Sequence, residues 1–135
     1  MMSVNNGGGN GEMRRVSMDG LDVETNVAGL ENTHHDFTVM PGGVIVAIMF
    51  LQGAREFSLD SSTMTATEVW SYTSDFASGT LGDVQRLPNG NTIVAYSNSG
   101  VIHEVDPAGN LVQELATTSL GYVDHRPSLY GEPPR

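Results

Sequence analysis

The chain has 135 residues, and its 6 basic side chains, all arginine, face 16 acidic ones, so the formal net charge is −10. This acidic balance argues against a partner that is a nucleic acid, because no basic stripe is available to bind phosphates. The absence of cysteine excludes a disulfide scaffold, a thiolate nucleophile and a cysteine-ligated zinc site.

The start of the chain is polar and glycine-rich, and it holds no apolar stretch of the kind found in a signal peptide. The longest apolar run, Val44–Leu51, has eight residues, whereas a membrane-spanning helix needs roughly 18. We therefore expect neither a signal peptide nor a membrane-spanning segment in this chain.

Short β-branched runs separated by turn residues recur along the chain. Asp19-Gly20 lies between two such runs, Arg14–Met18 and Leu21–Thr25, and predicts a type I′ hairpin. Val44–Phe50 follows a Pro-Gly-Gly turn and predicts a strand buried on both faces. Further strands are predicted, each next to a turn rich in proline, glycine and asparagine, at Thr92–Tyr96, Val101–Val105 and Leu111–Leu115. No segment carries a helical apolar stripe, so the predicted fold class is all-β.

The chain also contains an internal repeat. Asp36–Gly43 matches Asp83–Gly90 at an offset of 47 residues, and Glu56–Asp60 matches Ile102–Asp106 at an offset of 46. Arg15–Asp19 has the same form, a strand followed by aspartate and a turn. A period of about 40–50 residues with four strands per unit is typical of a β-propeller blade. The alternative is a coincidence between ordinary hairpins.

This repeat divides the chain into about two and a half blades. Residues 1–32 form a polar start and the outer hairpin of an incomplete blade, 33–78 and 79–118 form one blade each, and 119–135 form a closing segment. Propellers close with at least about four blades. We therefore expect the chain to be the C-terminal part of a larger propeller, and we expect it to self-associate through uncovered blade faces.

Histidines are the main candidates for chemistry near neutral pH. His34 and His35 are adjacent at the start of a predicted strand, so their side chains are expected on opposite faces. The alternative is a polar strand start with hydrogen-bonded imidazoles. His103, in the middle of a strand, is predicted to be a solvent-facing or packed residue. No spacing of histidines on one face suits a catalytic zinc, so no metal site is predicted.

Two arginines are candidates to bind an oxyanion through bidentate hydrogen bonds. Arg86 ends a predicted strand, and Arg126 follows His125 and lies near Tyr130 in the sequence. The alternative for each arginine is a structural role at a strand end.

Four segments together resemble the bacterial aryl-sulfate sulfotransferase family over residues 12–131: Asn32–Gly43, Gly82–Val94, Gly100–Asn110 and Gly121–Gly131. The resemblance implies a periplasmic or extracellular six-bladed propeller. It also implies transfer of a sulfuryl group from a phenolic sulfate ester to an acceptor phenol, with no nucleotide donor and no cofactor.

Within that resemblance, His35 is the first residue matched to the nucleophile that forms a sulfohistidine. His34 is matched to the acid that protonates the leaving phenolate, and Arg86 and His125 are further catalytic matches. Neutral imidazole suits this chemistry because it attacks well at neutral pH and leaves readily once sulfated. Two other interpretations stay open: a non-catalytic propeller module for binding or interaction, and an inactive fragment.

Overall fold

The computed structural model describes residues 2–5, 11–17, 19, 21, 23–24, 27–42, 44–49 and 53–126. These residues form β-strands, turns and one short 3₁₀ segment, Ser97–Ser99, with no α-helix among them. The all-β class is therefore confirmed. In the described part of the chain, no helix has the length and apolar character needed to cross a bilayer.

Eleven strands lie in three antiparallel sheets. The N-terminal sheet has the order β1-β2-β3, the middle sheet β4-β5-β6-β7 and the C-terminal sheet β8-β9-β10-β11. Their bounds are β1 Met2–Asn5, β2 Gly11–Val16, β3 Val23–Glu24, β4 Thr33–Val39, β5 Val44–Met49, β6 Gly53–Asp60, β7 Thr65–Tyr72, β8 Asp83–Arg86, β9 Thr92–Tyr96, β10 Val101–Val105 and β11 Leu111–Ala116.

Most of the predicted strands are confirmed. β5, β9, β10 and β11 lie where the β-branched runs predicted them, and β2 pairs with β3 through Arg15 opposite Glu24. Gly20 lies outside the described residues, so the type of this hairpin turn stays a prediction. The sequence does not predict β1, because it indicates only a polar start at these residues. β1 pairs with β2 from Met2 opposite Arg14 to Asn5 opposite Gly11, which satisfies its backbone groups without an apolar run.

Two apolar clusters hold the three sheets together. One cluster joins the N-terminal segment to the middle sheet through Met13, Val27, Leu30, Phe57 and Ala66. The other joins the middle and C-terminal sheets through Ala54, Val84, Val94, Tyr96, Val101 and Val105. The middle sheet is therefore covered on both faces.

The first strands of the sheets lie side by side. β4 contacts β1 on one side and β8 on the other. β4 and β8 are also the edge strands of their sheets. Two of these strands hold predicted site residues, with His34 and His35 on β4 and Arg86 on β8.

Candidate functional site

The histidine pair lies at an irregularity in the middle sheet. Thr33 of β4 is opposite Met49 of β5, but Phe37 is opposite Ala47, so β4 holds two more residues than its partner between these points. His34, His35 and Asp36 fill this interval; their side chains lie outside what the structure describes. Bulges interrupt strict alternation and are frequent beside active sites. The expected placement of the His34 and His35 side chains on opposite faces therefore stays a prediction.

Arg86 lies on the neighbouring strand β8, but its guanidinium already has three partners. It forms an ion pair with Glu56 of β6 and donates a hydrogen bond to the Gly90 carbonyl. Its Cζ atom lies 5.5 Å from the centre of the Trp70 ring, in cation–π distance. Burial lowers the pKa of Arg86. These contacts join the middle and C-terminal sheets, and they favour the structural alternative for this arginine.

The backbone of His125 contacts β8, the strand that holds Arg86. Its N–H donates to Oε1 of Gln85, one residue before Arg86, at 2.8 Å. Four residues earlier, the Gly121 carbonyl accepts a hydrogen bond of 2.7 Å from Ser97. Arg126 is exposed and paired with Asp124 at 3.3 Å. Residues 127–135, which include Tyr130, lie outside the described part.

The structure places the sequence-predicted residues on or beside two neighbouring strands. His34 and His35 lie on β4, Arg86 lies on β8, which contacts β4, and the His125 backbone is hydrogen-bonded to Gln85 of β8. Because Gln85 and Arg86 are consecutive on a strand, the Gln85–His125 contact and the Arg86–Glu56 pair lie on opposite faces of β8. Among the described residues, no group of three or more histidine and carboxylate side chains is placed to hold a metal ion.

A second polar cluster surrounds His103, which the sequence indicated only as an ordinary strand residue. Its side chain is buried, with the residue 3% exposed. Nε2 lies 3.0 Å from Oε2 of Glu114 on β11, and Nδ1 lies 2.9 Å from the Tyr72 hydroxyl on β7. Because a carboxylate only accepts, Nε2–H donates to Glu114, and in the neutral ring Nδ1 then accepts from Tyr72. The result is a chain of hydrogen bonds from one sheet to the other.

Aromatic rings enclose this imidazole. Phe76 and Tyr96 meet His103 edge to face, with ring centres 5.6 and 5.5 Å away, and Tyr72 lies at 5.9 Å. Burial raises the pKa of Tyr96, and burial together with the charge of Glu114 raises the pKa of Tyr72. Apart from the strand alternation that places His103 with Val101 and Val105, nothing in the sequence indicates this cluster, because its partners lie 31 and 11 residues away.

The described residues form adjacent antiparallel sheets whose first strands are neighbours, with the histidine pair on the first strand of the middle sheet. A search of protein-family models finds none that matches the chain, and no curated protein matches it. Among solved structures, the chain is similar to a protein of unknown function from Bacteroides caccae, with a TM-score of 0.54 and 15% sequence identity. The match covers 79% of this chain and 39% of that protein, so this chain spans about two-fifths of its length. At this identity the likeness concerns the fold alone.

Proposed function

We propose that the three sheets are blades of a β-propeller and that the β4–β8 edge carries sulfuryl transfer from an aryl sulfate to a phenol. The observation that supports the proposal is the contact between β4, which holds the histidine pair, and β8, which holds Arg86 and binds the His125 backbone through Gln85. The blade interpretation draws on the side-by-side first strands and on the repeated four-stranded order.

In the proposed reaction, His35 attacks sulfur as its neutral imidazole, and the bond from sulfur to the phenolic oxygen breaks. His34 gives a proton to the departing phenolate. An acceptor phenol then returns a proton to His34 as its oxygen attacks sulfur, and the bond from sulfur to the His35 nitrogen breaks. The register shift between Thr33 and Phe37, where the pair lies, supports the proposal, because bulges are frequent beside active sites. His125 is the third histidine of the proposed site. Arg86 acts as a positioning residue, since Glu56 and Gly90 already engage its guanidinium.

The test is an aryl sulfate assay that needs an acceptor phenol. His35→Ala should abolish both phenol release and transfer, since no covalent intermediate forms. His34→Ala should lose about 10²–10⁴-fold with poor leaving groups and much less with nitrophenyl sulfate, whose phenolate leaves without a proton. His103→Phe, which removes a histidine from the other cluster, is the control and should keep activity where it folds.

A labelling experiment checks the same proposal without turnover. Brief exposure to donor should add about 80 Da to the peptide that holds His34 and His35, with the acid lability of an N-sulfuryl imidazole. A label on another peptide, together with full activity of His35→Ala, would show that the pair is structural.

A second candidate function is a non-catalytic interaction module. The observation that favours it is an apolar depression on the C-terminal sheet, lined by Ile93, Ile102 and Leu115 and located on the face that turns away from the middle sheet. Absence of turnover and of label in a folded protein would select this candidate.

A further inference from the structure

The C-terminal sheet has an outer face, which turns away from the middle sheet. On this face Asp83, Ala95, Ile102 and Leu115 are opposite one another in a row that runs from β8 to β11. Burial falls along the row, because Asp83 and Ala95 are 9% and 0% exposed, whereas Leu115 is 54% exposed. The apolar depression includes Ile93, Ile102 and Leu115. The outer face is therefore covered at its β8 end and uncovered at its β11 end.

The chain that follows β11 returns to this face at β8. Gln85 of β8 is opposite Ile93 of β9, so both residues belong to the outer face. The His125 N–H donates to Oε1 of Gln85 at 2.8 Å. Arg126 is the last described residue. The segment 127–135 therefore starts at the β8 side of the outer face, next to the part that is uncovered.

The sequence of this segment, Pro-Ser-Leu-Tyr-Gly-Glu-Pro-Pro-Arg, suits an extended chain on an apolar face. Its two large apolar side chains are Leu129 and Tyr130. The five residues from His125 to Tyr130 span up to about 17 Å, and β11 lies three strand spacings, about 14 Å, from β8. The three prolines restrict the backbone, which lowers the entropy that is lost when the segment binds.

We propose that residues 127–135 dock on the outer face of the C-terminal sheet, with Leu129 and Tyr130 in the apolar depression. Docking removes apolar surface of Ile102 and Leu115 from water, and it continues the contact that His125 makes with β8. The occupant of the depression is then part of the same chain, so the interaction-module candidate loses this surface. The inference depends neither on the blade interpretation nor on sulfuryl transfer.

Cleavage of the full chain by chymotrypsin after Tyr130 tests the docking. A docked segment is cut only when it opens, so the cleavage rate reports the population of the open state. A synthetic peptide of residues 124–135 gives the rate for the free segment, and mass spectrometry identifies the product that has lost residues 131–135. The full chain should be cut at least about tenfold more slowly than the peptide, at every protein concentration.

Two results of this experiment overturn the proposal. Cleavage of the full chain at the rate of the peptide would mean that the segment does not dock. Protection that rises with protein concentration would mean that the face binds the segment of a second copy.

Two matched variants of β11 locate the contact. Leu115→Asp places a carboxylate in the depression and should remove most of the protection. Val112→Asp makes the same kind of change on the same strand, at a residue that is 55% exposed and outside the lining of the depression, and it should keep the protection of the parent. Both positions are exposed, so circular dichroism should show that both variants fold. Equal cleavage rates for the two variants contradict the proposed face.

A second pair of variants leaves the sheet unaltered and changes only the segment. Leu129→Asp should lose protection, measured against a peptide that carries the same change. Ser128→Asp, which adds the same charge at a polar neighbour, should keep the protection of the parent. Full protection of Leu129→Asp would mean that its side chain is not in the depression, and it would overturn the proposal.

Discussion

The buried imidazole of His103 forms hydrogen bonds to strands of two different sheets, with Tyr72 on β7 and Glu114 on β11. A buried imidazole is tolerated only where its ring nitrogens are satisfied. Here both nitrogens have partners, and the surrounding rings exclude water. These hydrogen bonds therefore join the middle and C-terminal sheets. Because hydrogen bonds are directional, they fix the relative position of the two sheets more specifically than apolar contacts alone would.

A double-mutant cycle measures the coupling free energy between His103 and Tyr72. His103→Leu should lower the free energy of unfolding by about 1–3 kcal/mol, because it leaves the Tyr72 hydroxyl and the Glu114 carboxylate without their shared partner. Tyr72→Phe, which removes only the hydroxyl, should lower it by about 0.5–1.5 kcal/mol. The double variant should lose less than the sum, since both changes remove the same bond. Urea denaturation gives the free energy of unfolding of the three variants. If the loss in the double variant equals the sum of the two single losses, the proposed hydrogen bond between His103 and Tyr72 is contradicted.

At the scale of elements, the repeated unit is a strand with an aspartate at its end or up to three residues beyond it, and the aspartate carboxylate accepts hydrogen bonds within the following turn. Asp60 accepts from the Ser62 amide and hydroxyl, and Asp106 accepts from Ala108 and from the Asn110 amide and side chain. Asp19 accepts from the Leu21 amide and from the Ser17 hydroxyl. The sequence aligned these three aspartates, and the structure gives the physical reason for their common position.

A second repeated feature is a glycine at the start of the third strand of each four-stranded sheet. Gly53 and Gly100 both have positive φ, at 84° and 68°. A side chain would collide with the Tyr72 carbonyl at one site and with the Thr117 carbonyl at the other, each within 2.4 Å of the added Cβ. Glycine is therefore required for the third strand to approach the end of the fourth.

The Asp106 turn has a defined pH dependence. Hydrogen bonds from the Asn110 side chain and amide hold the pKa of Asp106 below its ordinary value of 3.8. A lowered pKa in the folded state means that the turn contributes its stability above about pH 3.8 and loses it as the pH falls through the folded value. Asp106→Asn should therefore be less stable than the parent at neutral pH, with the difference shrinking in acid.

The check is thermal unfolding of both proteins across a pH series. Asp75→Asn, a change at an exposed aspartate outside the three turns, is the matched control and should show no such convergence. A stability difference between Asp106→Asn and the parent that stays constant down to pH 2 would mean that the charge on the Asp106 carboxylate does not contribute.

The sequence predicts well those structural features that depend only on residues close together along the chain. Thr92–Tyr96 and Asp106–Asn110 are a β-branched strand and a turn by their own composition, and both are found. The sequence does not predict the bulge at His34, because the bulge depends on the register between β4 and β5. The pairing of Arg86 with Glu56 likewise needs two sheets to stack, and β1 exists because β2 pairs with it.

At the scale of the whole molecule, the three described sheets follow one another in chain order, and the middle sheet packs on the N-terminal segment through one apolar cluster and on the C-terminal sheet through another. In such an arrangement, stability is close to a sum of terms for each sheet and each interface between neighbours, as in repeat proteins. A change at one interface should then leave the other interface folded. The single tryptophan, Trp70, reports on only one of them, since its Nε1–H donates to the Pro107 carbonyl at 3.1 Å across the middle and C-terminal sheets.

Two core truncations test this independence. Met13→Ala opens a cavity between the N-terminal and middle sheets, where Met13 is 1% exposed, and should cost about 2–5 kcal/mol of local stability. Hydrogen exchange in β2 should accelerate while the urea midpoint of Trp70 fluorescence stays near that of the parent. Val94→Ala, at the other interface, should lower that midpoint through a loss of about 2 kcal/mol. If Met13→Ala moves the Trp70 midpoint as far as Val94→Ala does, the three sheets unfold as one cooperative unit and the stack is not modular.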